Sequence, residues 1–122
     1  VIIINGIPVK ISIRMNGYDC PEMKPSKLKI DREYEIKFAK LAKAKLSELV
    51  LNKKVKIISN GLDKYGRMLG TIITDININN YMIENGYGYK YEGATKAVIE
   101  YHKEFYILDG KKCIIKNKPI DI

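Results

Sequence analysis

Two periodicities alternate along this chain. Val9, Ile11 and Ile13 interleave with Lys10, Ser12 and Arg14, the period-two pattern of a strand with one face toward a core. Asn5-Gly6, a favoured tight-turn dipeptide, links this stretch to the apolar run Val1-Ile2-Ile3-Ile4. Residues 1–15 therefore read as a β-hairpin with arms Val1–Ile4 and Ile7–Met15. From residue 31 the period lengthens: Tyr34, Phe38, Leu41, Ala42, Leu46 and Leu49 make an apolar stripe at helical spacing. The expected helix covers 31–51, with Asp31 as N-cap and with Glu33 and Glu35 at the positive end of the dipole. Lys37, Lys40, Lys43 and Lys45 lie largely off the stripe as a solvated face, and Asn52, Lys53 and Lys54 close the helix.

A second hairpin follows, with arms Val55–Ser59 and Arg67–Thr74 around the loop 60–66. Gly70 within its second arm implies a bulge or a close backbone approach. Residues 79–85 read as a short helix ended by Asn85-Gly86. Tyr87, Tyr89 and Tyr91 alternate through an extended segment, where they can stack bases or cover a half-buried core. The tail from Ala94 reads as a helix carrying Val98, Tyr101, Phe105 and Leu108, then a short strand over Lys112–Lys116. This order predicts an α+β fold, mainly a β-barrel with helices. Its expected form is a five-stranded OB-fold barrel decorated by two to three α-helices.

Composition narrows the picture modestly. The 122 residues suffice for one domain with a core of its own. A net charge of +8 suits a polyanionic partner, although a Lys-, Ile- and Asn-rich composition produces the same excess. Cys20 and Cys113 are the only cysteines, which excludes a disulfide framework and a four-cysteine zinc site. No apolar run approaches the ~20 residues of a membrane span, so no membrane partner is expected. The chain opens at Val1 in what reads as mid-strand, as an excised or processed product would, with no targeting segment to indicate a compartment.

The candidate chemistry lies in two separated stretches. The first runs from Arg14 through Asp19-Cys20-Pro21-Glu22, and the second is Asp63-Lys64-Tyr65-Gly66-Arg67. Guanidiniums clamp phosphate oxygens in a planar, bidentate way, while carboxylates hold a cation or activate water. Brought together, these groups suit metal-assisted phosphodiester hydrolysis. Taken alone, Arg14 reads equally as an edge charge, and Asp19 and Glu22 as a solvated acidic loop stiffened by Pro21. His102 has no Cys or His cluster around it in sequence and reads as a surface helix residue, and Cys20 has no histidine nearby to make it a nucleophile.

On these motifs, together with Ile78-Asn79 through Asn85-Gly86, the chain resembles the staphylococcal nuclease-like (thermonuclease) domain family over roughly residues 1–91. Residues 92–122 would then be a divergent tail of one domain, 1–122, loosely similar to relatives in large DNA viruses. The resemblance implies an OB barrel and Ca²⁺-dependent hydrolysis of DNA and/or RNA by an activated water, with little sequence specificity and single-stranded or frayed substrate preferred. It casts Glu22 as general base and Arg14 and Arg67 as transition-state stabilisers. It also makes Asp19 and the Cys20 backbone carbonyl metal ligands, and Lys64, Tyr65, Tyr89 and Tyr91 substrate contacts. A further family aspartate would precede Val1, so weak Ca²⁺ binding is expected of this chain. A monomer is expected. The alternative is a non-catalytic nucleic-acid-binding or scaffold module of OB type.

Overall fold

The computed structural model describes residues 2–93 and 97–119. Among them Ile2–Ile4 (β1) and Ile7–Val9 (β2) form the first hairpin. Asn5 and Gly6 turn it with φ of 50° and 78°, the double positive-φ geometry for which Asn-Gly is suited. The second arm does not run on to Met15 as its alternation suggested. Ile13–Met15 (β3) leaves the hairpin and pairs in parallel with Met68–Ile73 (β6). Burial explains the switch: Ile4 and Ile7 stay exposed, whereas Met15 enters the core.

The register of that parallel pair sets Arg14 opposite Leu69 and Met15 opposite Gly70. Lys56–Leu62 (β5) runs antiparallel on the other side of β6, longer than its apolar residues indicated, with a bulge between Ser59 and Leu62. Gly70 is a close-approach site, because a Cβ there would stand 2.9 Å from Ile13 Cγ2 and 3.2 Å from Ile57 Cγ2. Tyr18–Asp19 (β4) pairs antiparallel with Tyr89–Lys90 (β7). Gly88 permits this pairing: a Cβ on it would lie 2.4 Å from the Asp19 carbonyl oxygen and 2.3 Å from the Tyr18 ring.

Helix α1, Arg32–Val50, buries Phe38, Leu41 and Ala42 as its stripe predicts. Two of its polar residues depart from expectation. Asp31 makes no side-chain cap and instead accepts the main-chain N–H of Tyr101 at 2.8 Å, tying the helix start to the tail. Lys45 is not on the solvated face but buried, its Nζ 2.8 Å from Glu48 Oε2 and 5.7 Å from the Tyr81 ring centroid. That hydrogen bond raises the Lys45 pKa against the opposing pull of desolvation.

The tail is also different. Ala94–Lys96, where its expected helix would begin, lie outside the described residues. Ile99–Tyr101 (β8), Tyr106–Leu108 (β9) and Lys111–Cys113 (β10) make an antiparallel meander in place of the helix and of the strand expected over Lys112–Lys116. The reason is aromatic packing. Tyr101 and Tyr106 face each other across the β8–β9 pair and both meet Phe38, with ring centroids 5.9 and 5.3 Å away. His102 accordingly sits in the β8–β9 turn rather than on a helix, stacked on Phe105 at 4.5 Å.

The expected α+β class holds, with two helices among the described residues. Their strands are mostly two or three residues long and hydrogen-bond into four small sheets, so the pairing does not close a ring. Helix α2, Ile78–Glu84, is capped by Asn77, whose side chain accepts from the Asn80 N–H at 3.1 Å. It seats Ile78 and Met82 fully inside the core and buries Asn79 beside them. Asn79 Nδ2 donates to the carbonyls of Asn16 at 2.9 Å and Gly70 at 3.0 Å, and its Oδ1 accepts the Ile72 N–H at 3.1 Å. Asn79→Ala leaves the Asn16 carbonyl and the Ile72 N–H without this partner and removes one of the two bonds to the Gly70 carbonyl, which keeps the Asn16 N–H. The expected cost is about 2–4 kcal/mol in a urea unfolding titration with unchanged slope, and a loss below about 1 kcal/mol would contradict this account.

Candidate active site

The turn between β5 and β6 is organised by one carboxylate. Asp63 Oδ1 accepts the N–H groups of Tyr65 and Arg67, both at 2.9 Å, while Oδ2 accepts Arg67 Nε at 2.7 Å. Gly66 closes the turn at φ 81°. Desolvation is the largest single effect and favours the protonated acid, but the three bonds from Arg67 and Tyr65, with the Arg67 charge, together outweigh it and hold Asp63 below the ordinary carboxylate range. The exposed Tyr65 ring has two cations near it, Lys64 Nζ 5.3 Å and Arg67 Cζ 5.5 Å from its centroid.

Arg14 approaches from β3. Its Nη1 donates to the Tyr18 carbonyl at 2.6 Å, and its Nη2 stands 3.5 Å from Asp19 Oδ1. Because β3 and β6 are parallel with Arg14 opposite Leu69, Arg67, two residues before Leu69, comes to the same side as Arg14. Asp19 Oδ1 also accepts the Cys20 N–H at 2.9 Å, and its Oδ2 accepts the Tyr89 hydroxyl at 3.4 Å. Burial first, then the Asp19 charge, push the Tyr89 hydroxyl pKa far up, so it remains a donor at any physiological pH.

Arg14, Asp19, Lys64, Tyr65, Arg67 and Tyr91 line one open cleft of about 900 Å³. Glu22, Cys20 and Tyr89 do not. They line a smaller cavity of about 240 Å³ with Glu35, Lys29 and Tyr101. Tyr89 is buried, with its ring turned inward rather than offered for stacking, and its bond to Asp19 joins the walls of the two spaces. Glu22 itself is exposed.

Asp63 heads the downstream motif without being among the expected site residues. The signal was present in the Asp-x-x-Gly spacing, since Asp at the head of a turn bonds the backbone ahead of it. Glu92 and Gly93, also on the cleft wall, carried no comparable signal.

A family model described as Staphylococcal nuclease homologue matches residues 12–111, so the chain belongs to the staphylococcal nuclease homologue family. It is 31% identical over 88 residues to the "Probable staphylococcal-like nuclease CAN2" of Oryza sativa subsp. japonica, a match covering 71% of this chain and 21% of that protein. The chain thus spans about a fifth of that relative's length. No solved structure gives a significant match.

The donor set for the cation that the resemblance implies is thin. No group of three or more His, Cys, Asp or Glu side chains able to hold a metal occurs among the described residues. Calcium takes six to eight oxygens, and Asp19 brings one carboxylate whose two oxygens already accept hydrogen bonds. The described residues therefore do not form a preformed calcium cage.

The pH behaviour of the turn follows from Asp63. Its folded pKa is lowered, so its stabilisation is complete at neutral pH and is lost as pH falls through that lowered value, below the ordinary aspartate range. A carboxyl-carbon NMR titration should place Asp63 under that range, with the Arg67 Nε–H resonance shifting in the same transition. Titration at an ordinary aspartate pKa would contradict the geometry.

Proposed function

We propose that this chain is a nuclease that hydrolyses phosphodiester bonds of DNA or RNA by attack of an activated water. The supporting observation is the meeting of Arg14 and Asp19 with Lys64, Tyr65 and Arg67 along one cleft. Each guanidinium is held by a carboxylate, Arg14 by Asp19 and Arg67 by Asp63, which orients it and leaves other N–H groups for a phosphate. In the reaction, the water oxygen bonds to phosphorus, its proton passes to Glu22, and the phosphorus–oxygen bond to the leaving nucleotide breaks. Negative charge grows on the remaining phosphoryl oxygens at that moment. Fixed cations therefore favour the transition state over the ground state, by roughly 3–4 kcal/mol for one well-placed donor.

The exposed Tyr65, flanked by Lys64 and Arg67, suits stacking of an unpaired base beside its phosphate. Contacts of this kind are blind to base identity, which fits low sequence preference and single-stranded or frayed substrate. Asp19 and the Cys20 carbonyl are the chain's donors toward the Ca²⁺ that the resemblance implies, and one carboxylate makes such a site weak.

The test is cleavage of denatured DNA with Ca²⁺ present. Glu22→Gln should lower kcat by about 10²–10⁴-fold, and Arg67→Lys by about 10²–10³-fold. Unchanged rates in both would sink the assigned roles.

One observation favours the rival reading of a non-catalytic nucleic-acid-binding module: Glu22 lines the smaller cavity rather than the cleft. That reading expects binding with a steep salt dependence and no turnover. A filter-binding titration at several salt concentrations, run beside the cleavage assay, separates the two. Salt-independent binding would count against both.

A further inference from the structure

Helix α1 carries a buried acid that the helix itself does not need. Glu35 lies on the same face as Phe38, Ala39 and Ala42, all buried, and its side chain is only 7% exposed. An apolar residue there would continue the stripe without the cost of desolvating a charge. The carboxylate is instead spent on the loop that follows β4. Its Oε2 accepts the main-chain N–H of Glu22 at 3.0 Å, and its Oε1 pairs with Lys29 Nζ. Lys29 also lies 3.8 Å from Asp31 Oδ1 and 5.0 Å from the Tyr101 ring centroid, which fixes its position from two further sides. One carboxylate therefore fastens both ends of the segment 22–29 to a rigid 19-residue helix.

We infer that Glu35 is a positioning residue: it holds the main chain at Glu22 so that this carboxylate stands at a set reach from Asp19 and the Arg14 guanidinium. The inference rests on the nuclease reading. Without the anchor, the loop would sample many conformations, and the base would be in place for only a fraction of the time. Substrate binding, carried by the cleft on the far side of Asp19, would be little affected. The signature is a loss in kcat with KM nearly unchanged.

The experiment pairs kinetics with amide hydrogen exchange at Glu22, followed by ¹⁵N NMR, in wild type, Glu35→Ala and Glu35→Gln. In wild type the Glu22 amide should be protected. Glu35→Ala should remove that protection and lower kcat by about 10²-fold with KM within about twofold. Glu35→Gln keeps a neutral acceptor for the Glu22 N–H, so both readouts should fall between wild type and alanine, in step with each other. Should Glu35→Ala fail to fold, the glutamine variant decides alone. Joint partial loss of protection and kcat supports the anchor, whereas no change in either overturns it. If wild type cleaves nothing, the nuclease reading fails separately, and exchange at Glu22 that is indifferent to Glu35 overturns the inference on its own.

Discussion

The arrangement depends on one buried amide. Asn79 reaches from α2 to the carbonyl after β3 and to two groups of the β6 backbone, bonding three main-chain groups with one side chain. A further bond, from the Asn16 N–H to the Gly70 carbonyl at 2.9 Å, fastens the same junction. Parallel strands cannot be joined by a tight turn, so nothing local holds β3 beside β6. Asn79 supplies that hold from outside the strands, at the point where Gly70 lets them approach. The low dielectric of the core makes these bonds costly to break, which pins the register as well as the pairing.

From that register the site follows. Arg14 opposite Leu69 puts the upstream arginine beside the turn that carries Arg67. The remaining pieces are held by short-range constraints of the same kind. Asp63 bonds its own turn, Gly88 admits Asp19 against β7, and the Tyr89 hydroxyl steadies the Asp19 carboxylate. Both arginines of the cleft thus have an anionic or carbonyl partner that orients them before any phosphate arrives. Such preorganisation costs no rearrangement at the moment of reaction. The main chain at Glu22, whose carboxylate is exposed, is held through the bond to Glu35.

Local signals in the chain decided structure where a single element expressed them. Asn5-Gly6 made a hairpin turn, the stripe through Phe38, Leu41 and Ala42 made a helix, and Asn85-Gly86 ended one. They misled where distant partners competed. Val98 to Leu108 has spacings compatible with a helix, yet Tyr101 and Tyr106 gain more by packing together on Phe38 across a strand pair. Lys45 carries a charge suited to solvent, but Glu48 and Tyr81 make a place for it inside. Asp31 has the chemistry of a cap and spends it on Tyr101, seventy residues away.

The sequence by itself determined the inventory: the α+β class, the long helix, the two motif stretches and the residue types for binding a phosphate. It could do so because turn dipeptides, apolar periodicity and motif spacing act over a few residues. Only the tertiary structure decided which of those groups share a space. Arg14, Asp19, Lys64, Tyr65, Arg67 and Tyr91 share the cleft, while Glu22, Cys20 and Tyr89 share a second cavity with Glu35. That division rests on a parallel register, a buried asparagine and a buried glutamate. Their partners lie up to 63 residues away, beyond the reach of any local pattern.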